Sequence, residues 1–328
     1  MEEQHIDMGR EMTETRWPTQ VIVQAQALAA ALDGEIQQFI AAQRLPGAFR
    51  KVIGDYYFPL AVWLARHQQH RGSPLVVGLC GGQGSGKSTL TAFLQLVWQS
   101  LGIKSAGFSL DDIYLTRNER MQLGRRVHPL LVTRGVPGTH DVQLGIETID
   151  RLTQRAGTGV AGEEVPVPRF DKAIDDRAPR DSWPHRQSPV DILLFEGWCV
   201  GALPWEDRED PVNELERQED PEGVWREYVR AQLAGPYREL FSRLDLLLML
   251  QVPDMECVLE WRRLQEEKLR AATGGGMSDA AVNRFVQHYE RVTRYLLEEM
   301  PQRADCVLQL GRDHQVCGLR LNRCGTEC

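Results

Sequence analysis

Residues 81–89 read Gly-Gly-Gln-Gly-Ser-Gly-Lys-Ser-Thr and fit the pattern G-x-x-x-x-G-K-[ST], with Gly81, Gly86, Lys87 and Ser88 at its fixed positions. Glycine lets consecutive backbone N–H groups turn toward phosphate oxygens, Lys87 brings a mobile positive charge, and the Ser88 hydroxyl can bind Mg²⁺. This segment therefore predicts a phosphate-binding loop, which indicates that the chain binds a nucleotide.

The segments on either side of the phosphate loop have the patterns that such a loop requires. Residues 74–80 form a short apolar run, which is typical of a strand buried on both faces of a sheet. Residues 88–101 carry apolar side chains at helical spacing, and Gly102 follows as a stop signal. This order points a helix N-terminus at the bound anion. The alternative is a chance glycine-rich turn.

Two carboxylates, Asp111 and Asp112, follow a candidate strand at residues 104–109. Open α/β sheets bind their ligands at the carboxyl ends of their strands. Phosphoryl transfer to an alcohol needs an acceptor for the proton of the attacking hydroxyl, and a carboxylate that faces the phosphates can serve. We therefore predict that Asp111 is the catalytic carboxylate. The alternative is that the pair of aspartates only forms a turn or a cap.

A second apolar run also ends in an acid. Residues 190–195 are a candidate buried strand, and Glu196 follows directly. In phosphate-loop enzymes an acid at this place usually holds Mg²⁺ or one of its waters, although it is more often Asp. The sequence predicts that Glu196 and Ser88 lie at a metal. The alternative is that Glu196 caps a neighbouring segment.

Cationic side chains on a predicted helix could supply positive charge to a migrating phosphoryl group. They are Arg262, Arg263 and Arg270. Three consecutive glycines at 274–276 permit a hinge, so residues 261–278 are a candidate lid. The alternatives are a solvated helix face, because glutamates lie at i,i+4 from these arginines, and a flexible loop.

Composition restricts the class of protein. The chain has 328 residues, of which 42% are hydrophobic and 26% charged, as in an ordinary globular enzyme. Its apolar runs fall well short of the roughly 20 residues that span a bilayer, and its acidic N-terminus lacks an export signal. We therefore predict a cytoplasmic protein. The net charge of −8 disfavours nonspecific nucleic-acid binding.

Positive charge is concentrated in one part of this acidic chain. Residues 114–140 carry five arginines and one acid. Such a segment suggests a small anionic ligand nearby, although a charge run is often only a solvated face.

The order of predicted elements indicates an α/β fold. Residues 1–70 read as helices, with patterns at 21–39 and 56–67, and strands alternate with helices from residue 74 onward, which implies a parallel sheet. Candidate strands are 75–80, 104–109, 165–168, 190–195, 244–252 and 305–310. We divide the chain into an N-terminal helical region (1–70), a phosphate-loop domain (71–322) and a tail (323–328). Whether the first region packs on the sheet stays open, as does the oligomeric state.

Several motifs resemble those of the uridine kinase, phosphoribulokinase and pantothenate kinase branch of the phosphate-loop kinases: residues 81–89, 109–114 and 195–197. Further segments are similar to the ATP-dependent D-glycerate 3-kinase family: 128–141, 167–172, 195–198, 265–269, 276–279 and 311–314. The resemblance covers about residues 55–320. Its most specific part is 128–141, which reads His-Pro-Leu-Leu-Val-Thr-Arg-Gly-Val-Pro-Gly-Thr-His-Asp.

This resemblance implies an α/β P-loop kinase with a mostly parallel, five-stranded core sheet of order 2-3-1-4-5, flanked by helices. It implies Mg-ATP as the donor and transfer of the γ-phosphoryl group to the C3 hydroxyl of glycerate. Asp111 and Lys87 would be catalytic, with Glu196 near the metal. The residues expected to bind ATP are Gly81, Gly82, Gln83, Gly84, Ser85, Gly86, Lys87, Ser88, Thr89, Asp313 and His314. The last two would lie by the adenine.

A small acid as acceptor requires paired cations for its carboxylate. The basic residues available are His128, Arg134, Arg169 and Lys172. The sequence does not choose among them, and the last two could instead form structural ion pairs with Asp171, Asp175 or Asp176. Two other functions stay open: a kinase for another alcohol such as a nucleoside or pantothenate, and a non-catalytic, nucleotide-dependent regulatory module.

Overall fold

The computed structural model describes residues 16–157, 160, 162–206, 210–273 and 275–322. The helices are α1 (Thr19–Ala31), α2 (Asp33–Ala42), α3 (Phe49–Val52), α4 (Phe58–Arg71), α5 (Lys87–Ser100), α6 (Arg117–Arg126), α7 (Val142–Thr153), α8 (Glu214–Glu219), α9 (Val224–Ala234), α10 (Pro236–Phe241), α11 (Met255–Thr273) and α12 (Asp279–Arg303). The strands are β1 (Leu75–Gly81), β2 (Ser105–Ser109), β3 (Glu164–Pro166), β4 (Phe170–Asp171), β5 (Asp176–Arg177), β6 (His185–Gln187), β7 (Ile192–Gly197), β8 (Leu246–Gln251), β9 (Cys306–Leu310) and β10 (Val316–Leu321).

Six strands form the central sheet, in the order β10-β9-β8-β1-β7-β2. Neighbouring strands run parallel except β9 and β10, which are antiparallel. When the parallel strands are numbered along the chain, their order is 2-3-1-4-5, as the resemblance implies. The mostly parallel α/β sheet is confirmed, but the predicted count of five strands is wrong. The sixth strand, β10, returns from β9 by a short turn, so no crossover helix precedes it in the sequence.

The candidate strand at residues 165–168 forms in part, as β3, but it lies outside the central parallel sheet. β3, which contains Val165 and Pro166, pairs with β6 in a separate two-stranded sheet. Pro166 and Pro168 have no backbone N–H to donate, so this segment cannot pair on both sides as a central strand must. The other candidate strands coincide with β1, β2, β7, β8 and β9 to within a few residues.

The two faces of the sheet carry separate apolar cores, because successive side chains of a strand point to opposite sides. In β1, Val77 and Leu79 belong to one core, whereas Val76 and Cys80 belong to the other. Helices α1 to α5 and α11 contribute to the first core, and α7, α9, α10 and α12 to the second. β1 is buried along its whole length, so the strand before the phosphate loop is fixed from both faces.

The N-terminal helices pack against the sheet face that carries α5. The Trp98 indole donates a hydrogen bond to Ala61 O over 3.0 Å, and Phe58 meets Phe93 edge to face at 5.0 Å. The pattern predicted as one helix over 21–39 forms two helices, α1 and α2, which meet at Leu32. One core therefore joins residues on both sides of residue 70, while the proposed domain boundaries stay predictions.

The first half of α4 lies inside the protein. Every residue of α4 from 58 to 65 is buried. Across the described ranges, no helix combines the length and the apolar character needed to cross a bilayer. The cytoplasmic location was predicted partly from the sequence of the N-terminus, which lies in residues 1–15, outside the described ranges. The location stays a prediction.

Candidate active site

Three strands end side by side at one edge of the sheet. In the register of the sheet, Glu196 of β7 is paired with Leu79 of β1 on one side and with Ser109 of β2 on the other. The phosphate loop leaves the end of β1, and Asp111 follows closely after β2. The topology therefore places the phosphate loop, Asp111 and Glu196 at one edge, where parallel sheets bind their ligands.

The backbone of the phosphate loop has the geometry of an anion cradle. Gly84 and Gly86 adopt left-handed φ angles of 77° and 90°, which residues with side chains rarely reach. α5 begins directly after Gly86, and no side chain caps its N-terminus. Its first N–H groups therefore have no intrahelical partner and can bind an anion. The Lys87 ammonium spans the loop, 2.8 Å from Gly81 O and 3.1 Å from Gly82 O.

The polar side chains of the loop also suit a bound phosphate. The Ser85 hydroxyl and the Gln83 amide oxygen are buried, and neither has a hydrogen-bond partner among the described residues. Buried polar groups without partners are costly, so their presence at a cradle indicates a ligand or water that satisfies them. The Ser88 side chain is exposed on the first turn of α5, and Thr89 follows it. The loop therefore fits the phosphates of a nucleotide.

A short 3₁₀ turn, Leu110–Ile113, sets the position of Asp111. The Ser109 hydroxyl accepts a hydrogen bond from Asp111 N, and the Asp112 carboxylate accepts one from Ser109 N over 2.9 Å. The cap that the sequence offered as an alternative is therefore present, and Asp112 forms part of it. The Asp111 side chain stays available for other contacts.

Both oxygens of the Asp111 carboxylate accept hydrogen bonds from side chains. The Tyr114 hydroxyl donates to Oδ1 over 2.9 Å, and the Lys172 ammonium donates to Oδ2 over 2.7 Å. Burial acts to raise the pKa of Asp111, but the charge of Lys172 and the two hydrogen bonds outweigh it and lower the pKa below its ordinary value. Asp111 is therefore ionised at neutral pH, as a proton acceptor must be.

The neighbouring acids differ from Asp111 in their electrostatics. Burial raises the pKa of Asp112, although Arg169 donates a hydrogen bond to it over 2.9 Å and opposes the rise. Burial also raises the pKa of Glu196; Lys87 opposes this rise, and the charges of Asp111 and Asp112 add to it. The positive charge near Glu196 thus does not offset burial and the neighbouring carboxylates, and a divalent cation would add the charge that is missing.

Mg²⁺ fits these residues when it arrives with a nucleotide. Within the part of the chain that the structure describes, no group of three or more His, Cys, Asp or Glu side chains is arranged to hold a metal. In kinase sites, however, Mg²⁺ keeps several waters and binds through one or two protein groups plus the phosphates. The Ser88 hydroxyl and the Glu196 carboxylate meet that smaller requirement.

Two of the predicted acceptor-binding cations lie at the paired aspartates. Lys172 contacts Asp111, and Arg169 contacts Asp112. Both residues therefore form ion pairs, but with the carboxylates after β2 and not with Asp171, Asp175 or Asp176, the partners that the alternative named. The Lys172 side chain is 61% exposed, so it can move to another anion without disturbing the core.

Arg134 lies beside the hairpin that carries Lys172. It forms an ion pair with Asp175, and its guanidinium carbon lies 5.6 Å from the ring centroid of Phe170. It is also close enough to Tyr114 to act electrostatically on that hydroxyl. Arg134 therefore belongs to the surroundings of Asp111.

His128 has contacts of a different kind. Its ring caps the 3₁₀ turn Pro129–Val132 by accepting from Leu130 N, and its Nε2 lies 3.9 Å from Asp220 Oδ1. Asp220 in turn pairs with the buried Arg226. These contacts connect His128 to a buried ion-pair network, and its assignment as an acceptor ligand stays a prediction.

His314 and Trp261 form a stacked pair next to the phosphate loop. Their ring centroids are 4.0 Å apart, with an interplanar angle of 24°. A Cβ placed on Gly84 would lie 3.1 Å from the Trp261 Cβ, so the start of α11 packs tightly on the loop. His314 has a φ of 63°, in a turn where the Asp313 carboxylate accepts from Gln315 N. The residues predicted to lie by the adenine are thus beside the phosphate loop.

Each lid arginine contacts a residue of α11, of α12 or of the segment between them. The pairs are Arg262 with Glu266, Arg263 with Asn283, and Arg270 with Met277. The first of these is the i,i+4 ion pair that the alternative expected, but its side chains are only 13% and 5% exposed, so it does not lie on a solvated face. Arg262 also acts electrostatically on Tyr289, which is influenced by Asp111 as well. Movement of residues 261–278 as a lid stays a prediction, and Gly274 of its hinge lies outside the described residues.

Tyr114 and His140 have no role predicted from sequence, although both lie in the motifs that carry the resemblance. Tyr114 follows Asp111 by three residues, and side chains at i and i+3 line up on a 3₁₀ turn, so this contact could have been foreseen. His140 gave no local signal. It reaches Tyr114 through an isolated antiparallel bridge between distant parts of the chain.

Known proteins with related sequences and structures were found, although no protein-family model matches the chain. "D-glycerate 3-kinase, chloroplastic" of Arabidopsis thaliana is 32% identical over 250 residues, covering 71% of this chain and 52% of that protein. This chain thus spans about half the length of that relative. "Uncharacterized kinase mug58" of Schizosaccharomyces pombe is 33% identical over 238 residues, covering 69% of this chain and 82% of that protein.

Among solved structures, D-glycerate 3-kinase from Cryptococcus neoformans var. grubii superposes on this chain with a TM-score of 0.66. The two chains are 25% identical, and the superposition covers 81% of this chain and 98% of the other.

Proposed function

Because this chain belongs to the D-glycerate 3-kinase family of phosphate-loop kinases, we propose that it transfers the γ-phosphoryl group of ATP to D-glycerate and releases 3-phosphoglycerate and ADP. One observation carries the proposal: an ionised carboxylate, Asp111, lies at the same sheet edge as the phosphate loop. A phosphate cradle alone would serve a switch or a motor equally well. A base is needed where an acceptor hydroxyl must lose its proton.

The phosphate loop would hold the donor. Its N–H groups and the α5 N-terminus would face the β- and γ-phosphates, and Lys87 would exchange two backbone carbonyls for phosphate oxygens. Ser88 and Glu196 would hold Mg²⁺, which supplies neutralisation of the phosphate charge during transfer. The stacked Trp261 and His314 would face the adenine.

Asp111 would accept the proton of the acceptor. As the C3 hydroxyl oxygen of D-glycerate forms its bond to the γ-phosphorus, the bond from that phosphorus to the β–γ bridging oxygen breaks. The bridging oxygen keeps the electron pair and leaves with ADP, and the hydroxyl proton passes to Asp111 Oδ2. The net reaction converts ATP and D-glycerate into ADP, 3-phosphoglycerate and one proton.

We assign the carboxylate of the acceptor to Lys172 and Arg134. Lys172 contacts Asp111, and Arg134 lies by Phe170 and acts electrostatically on Tyr114. Each cation is now paired with an aspartate that a ligand carboxylate could replace. A ligand that draws Lys172 away from Asp111 Oδ2 would free that oxygen for the hydroxyl proton. Arg169 would remain on Asp112, where it steadies the turn. This arrangement suits a small hydroxy acid because the acid brings both the anion and the hydroxyl.

An acceptor screen tests the proposal. Purified protein with Mg-ATP is given D-glycerate, L-glycerate, pantothenate or uridine, and ADP release is followed. We expect ADP release that depends on D-glycerate, and loss of that release in Lys87→Ala. Turnover with pantothenate or uridine alone would show that D-glycerate is not the acceptor. If none of the four compounds stimulated ADP release, a regulatory module would be favoured.

A further inference from the structure

Tyr114 makes the only side-chain contact to Asp111 that comes from a buried residue among those the structure describes. Its side chain is 3% exposed, and its hydroxyl donates to Asp111 Oδ1 over 2.9 Å. The other partner, Lys172, is largely exposed and binds Oδ2. The two carboxylate oxygens therefore differ: one has a fixed partner and the other has a partner that can leave.

The Tyr114 ring is held on two sides. His140 stacks against it with ring centroids 4.4 Å apart and an interplanar angle of 20°. Phe170 meets it edge to face at 5.2 Å. The backbones of Tyr114 and His140 also form an antiparallel bridge, which keeps the two rings in register. The hydroxyl of Tyr114 therefore has little freedom to leave Asp111.

Tyr237 selects the tautomer of His140. The Gly138 N–H donates to the Tyr237 hydroxyl oxygen over 2.9 Å, so the Tyr237 proton is left to donate to His140 Nδ1, 2.5 Å away. His140 then carries its single proton on Nε2, which is buried without a hydrogen-bond partner among the described residues. Burial lowers the pKa of His140 to about 3, so the ring is neutral. A neutral ring stacks on Tyr114 without bringing a charge next to Asp111.

We propose that Tyr114 is a positioning residue for phosphoryl transfer: its hydroxyl fixes Oδ1 of Asp111 and so directs Oδ2 toward the acceptor hydroxyl, while His140 and Tyr237 hold the Tyr114 ring in place. This inference rests on the proposed function. It assigns no contact between Tyr114 and the substrate. It accounts for two buried residues, His140 and Tyr237, that the transfer step itself does not use.

The test is the conservative change Tyr114→Phe, which keeps the stacked ring and removes the hydroxyl. The free energy that a hydrogen bond to a charged group typically contributes corresponds to a rate factor of about 10 to 100. We therefore expect kcat with D-glycerate to fall by that factor. The KM values for ATP and D-glycerate should stay close to those of the wild type, because Tyr114 touches neither ligand. The matched control is Tyr57→Phe, which removes another 3%-exposed hydroxyl from the opposite core; its kcat should not change.

A second variant, His140→Leu, removes the stack and keeps the Tyr114 hydroxyl. We expect kcat to fall while both KM values are retained, since the Tyr114 ring would lose its main support. An unchanged kcat in Tyr114→Phe, or a fall that Tyr57→Phe reproduces, would overturn the inference alone. Absence of any acceptor turnover in the wild type would overturn the inference together with the proposed function.

Discussion

Lys172 Nζ lies 2.7 Å from Asp111 Oδ2, so the cation that we assign to the acceptor contacts the carboxylate that we assign to the acceptor's proton. This contact keeps Asp111 ionised despite burial. It also makes the base and the acceptor site interdependent, because an anion that attracts Lys172 exposes Oδ2.

Asp111→Asn should lower kcat by about 10²- to 10⁴-fold, the usual contribution of a general base. The amide keeps the shape of the side chain and still accepts from Tyr114, so the fold should be retained. ATP binding, measured by calorimetry, should be almost unchanged, since the phosphate loop is separate from the 3₁₀ turn. A variant with a near-wild-type kcat would remove Asp111 from the mechanism.

Lys172→Met should shift the pH dependence of kcat/KM. Without Lys172, burial dominates and the pKa of Asp111 rises, so the base is protonated at a higher pH. The acidic limb of the pH profile should therefore move to higher pH, and KM for D-glycerate should increase. Lys51→Met is the control, because Lys51 is an exposed lysine of the N-terminal region. An acidic limb that stays in place would separate Lys172 from the base.

His140 should make the protein less stable in acid. Burial lowers the pKa of His140 from 6.5 to about 3, so the unfolded chain takes up its proton at a higher pH than the folded chain. The stability present above pH 6.5 is thus lost as pH falls toward 3. Between those limits, one such group contributes about 1.4 kcal/mol per pH unit to the slope of the unfolding free energy.

The measurement is urea unfolding at several pH values for the wild type and for His140→Phe. Between pH 6.5 and 3, the unfolding free energy of the wild type should change with pH more steeply than that of the variant. The difference in slope should be a large part of about 1.4 kcal/mol per pH unit. Equal slopes would mean that His140 titrates alike in both states, and the inferred neutral ring would then be wrong.

Much of this site could be predicted from sequence, and the reason lies in local spacing. The phosphate loop, Asp111 and Glu196 each lie at the end of an apolar strand. Because the carboxyl ends of parallel strands lie at one edge of a sheet, the sequence predicts that these residues are close together. β10 was missed because it lies at an antiparallel edge, where no crossover helix gives a periodic signal. The strand near residues 165–168 lies outside the central sheet because its two prolines have no backbone N–H to donate, and apolar spacing alone does not show this.

The partners of the charged side chains could not be read in the same way. Lys172 and Asp111 are 61 residues apart, and the charge pattern of the segment between them does not indicate which aspartate the lysine contacts. The link from Tyr237 to His140 spans 97 residues and depends on how α10 packs beneath the 128–141 segment. Contacts of this kind are fixed by tertiary packing.

His314→Ala should weaken ATP binding. The stacked Trp261 and His314 lie beside the phosphate loop. Stacking of one base on an aromatic ring contributes about 1–3 kcal/mol to the binding free energy, or roughly 5- to 150-fold in affinity. KM for ATP should rise within that range, while KM for D-glycerate stays near the wild-type value. His70→Ala, at an exposed position in the last turn of α4, is the control. An unchanged KM for ATP would place the adenine elsewhere.

The central claim is transfer of the γ-phosphoryl group to D-glycerate with Asp111 as the base, and identification of the product tests it most directly. Mg-ATP and D-glycerate are incubated with the wild type or with Asp111→Asn, and the products are followed by ³¹P and ¹³C NMR. We predict that the wild type forms 3-phosphoglycerate in equal amount to ADP and that the variant forms it at least about 100-fold more slowly. ADP without a phosphorylated glycerate, or phosphorylation at another hydroxyl, would contradict the account.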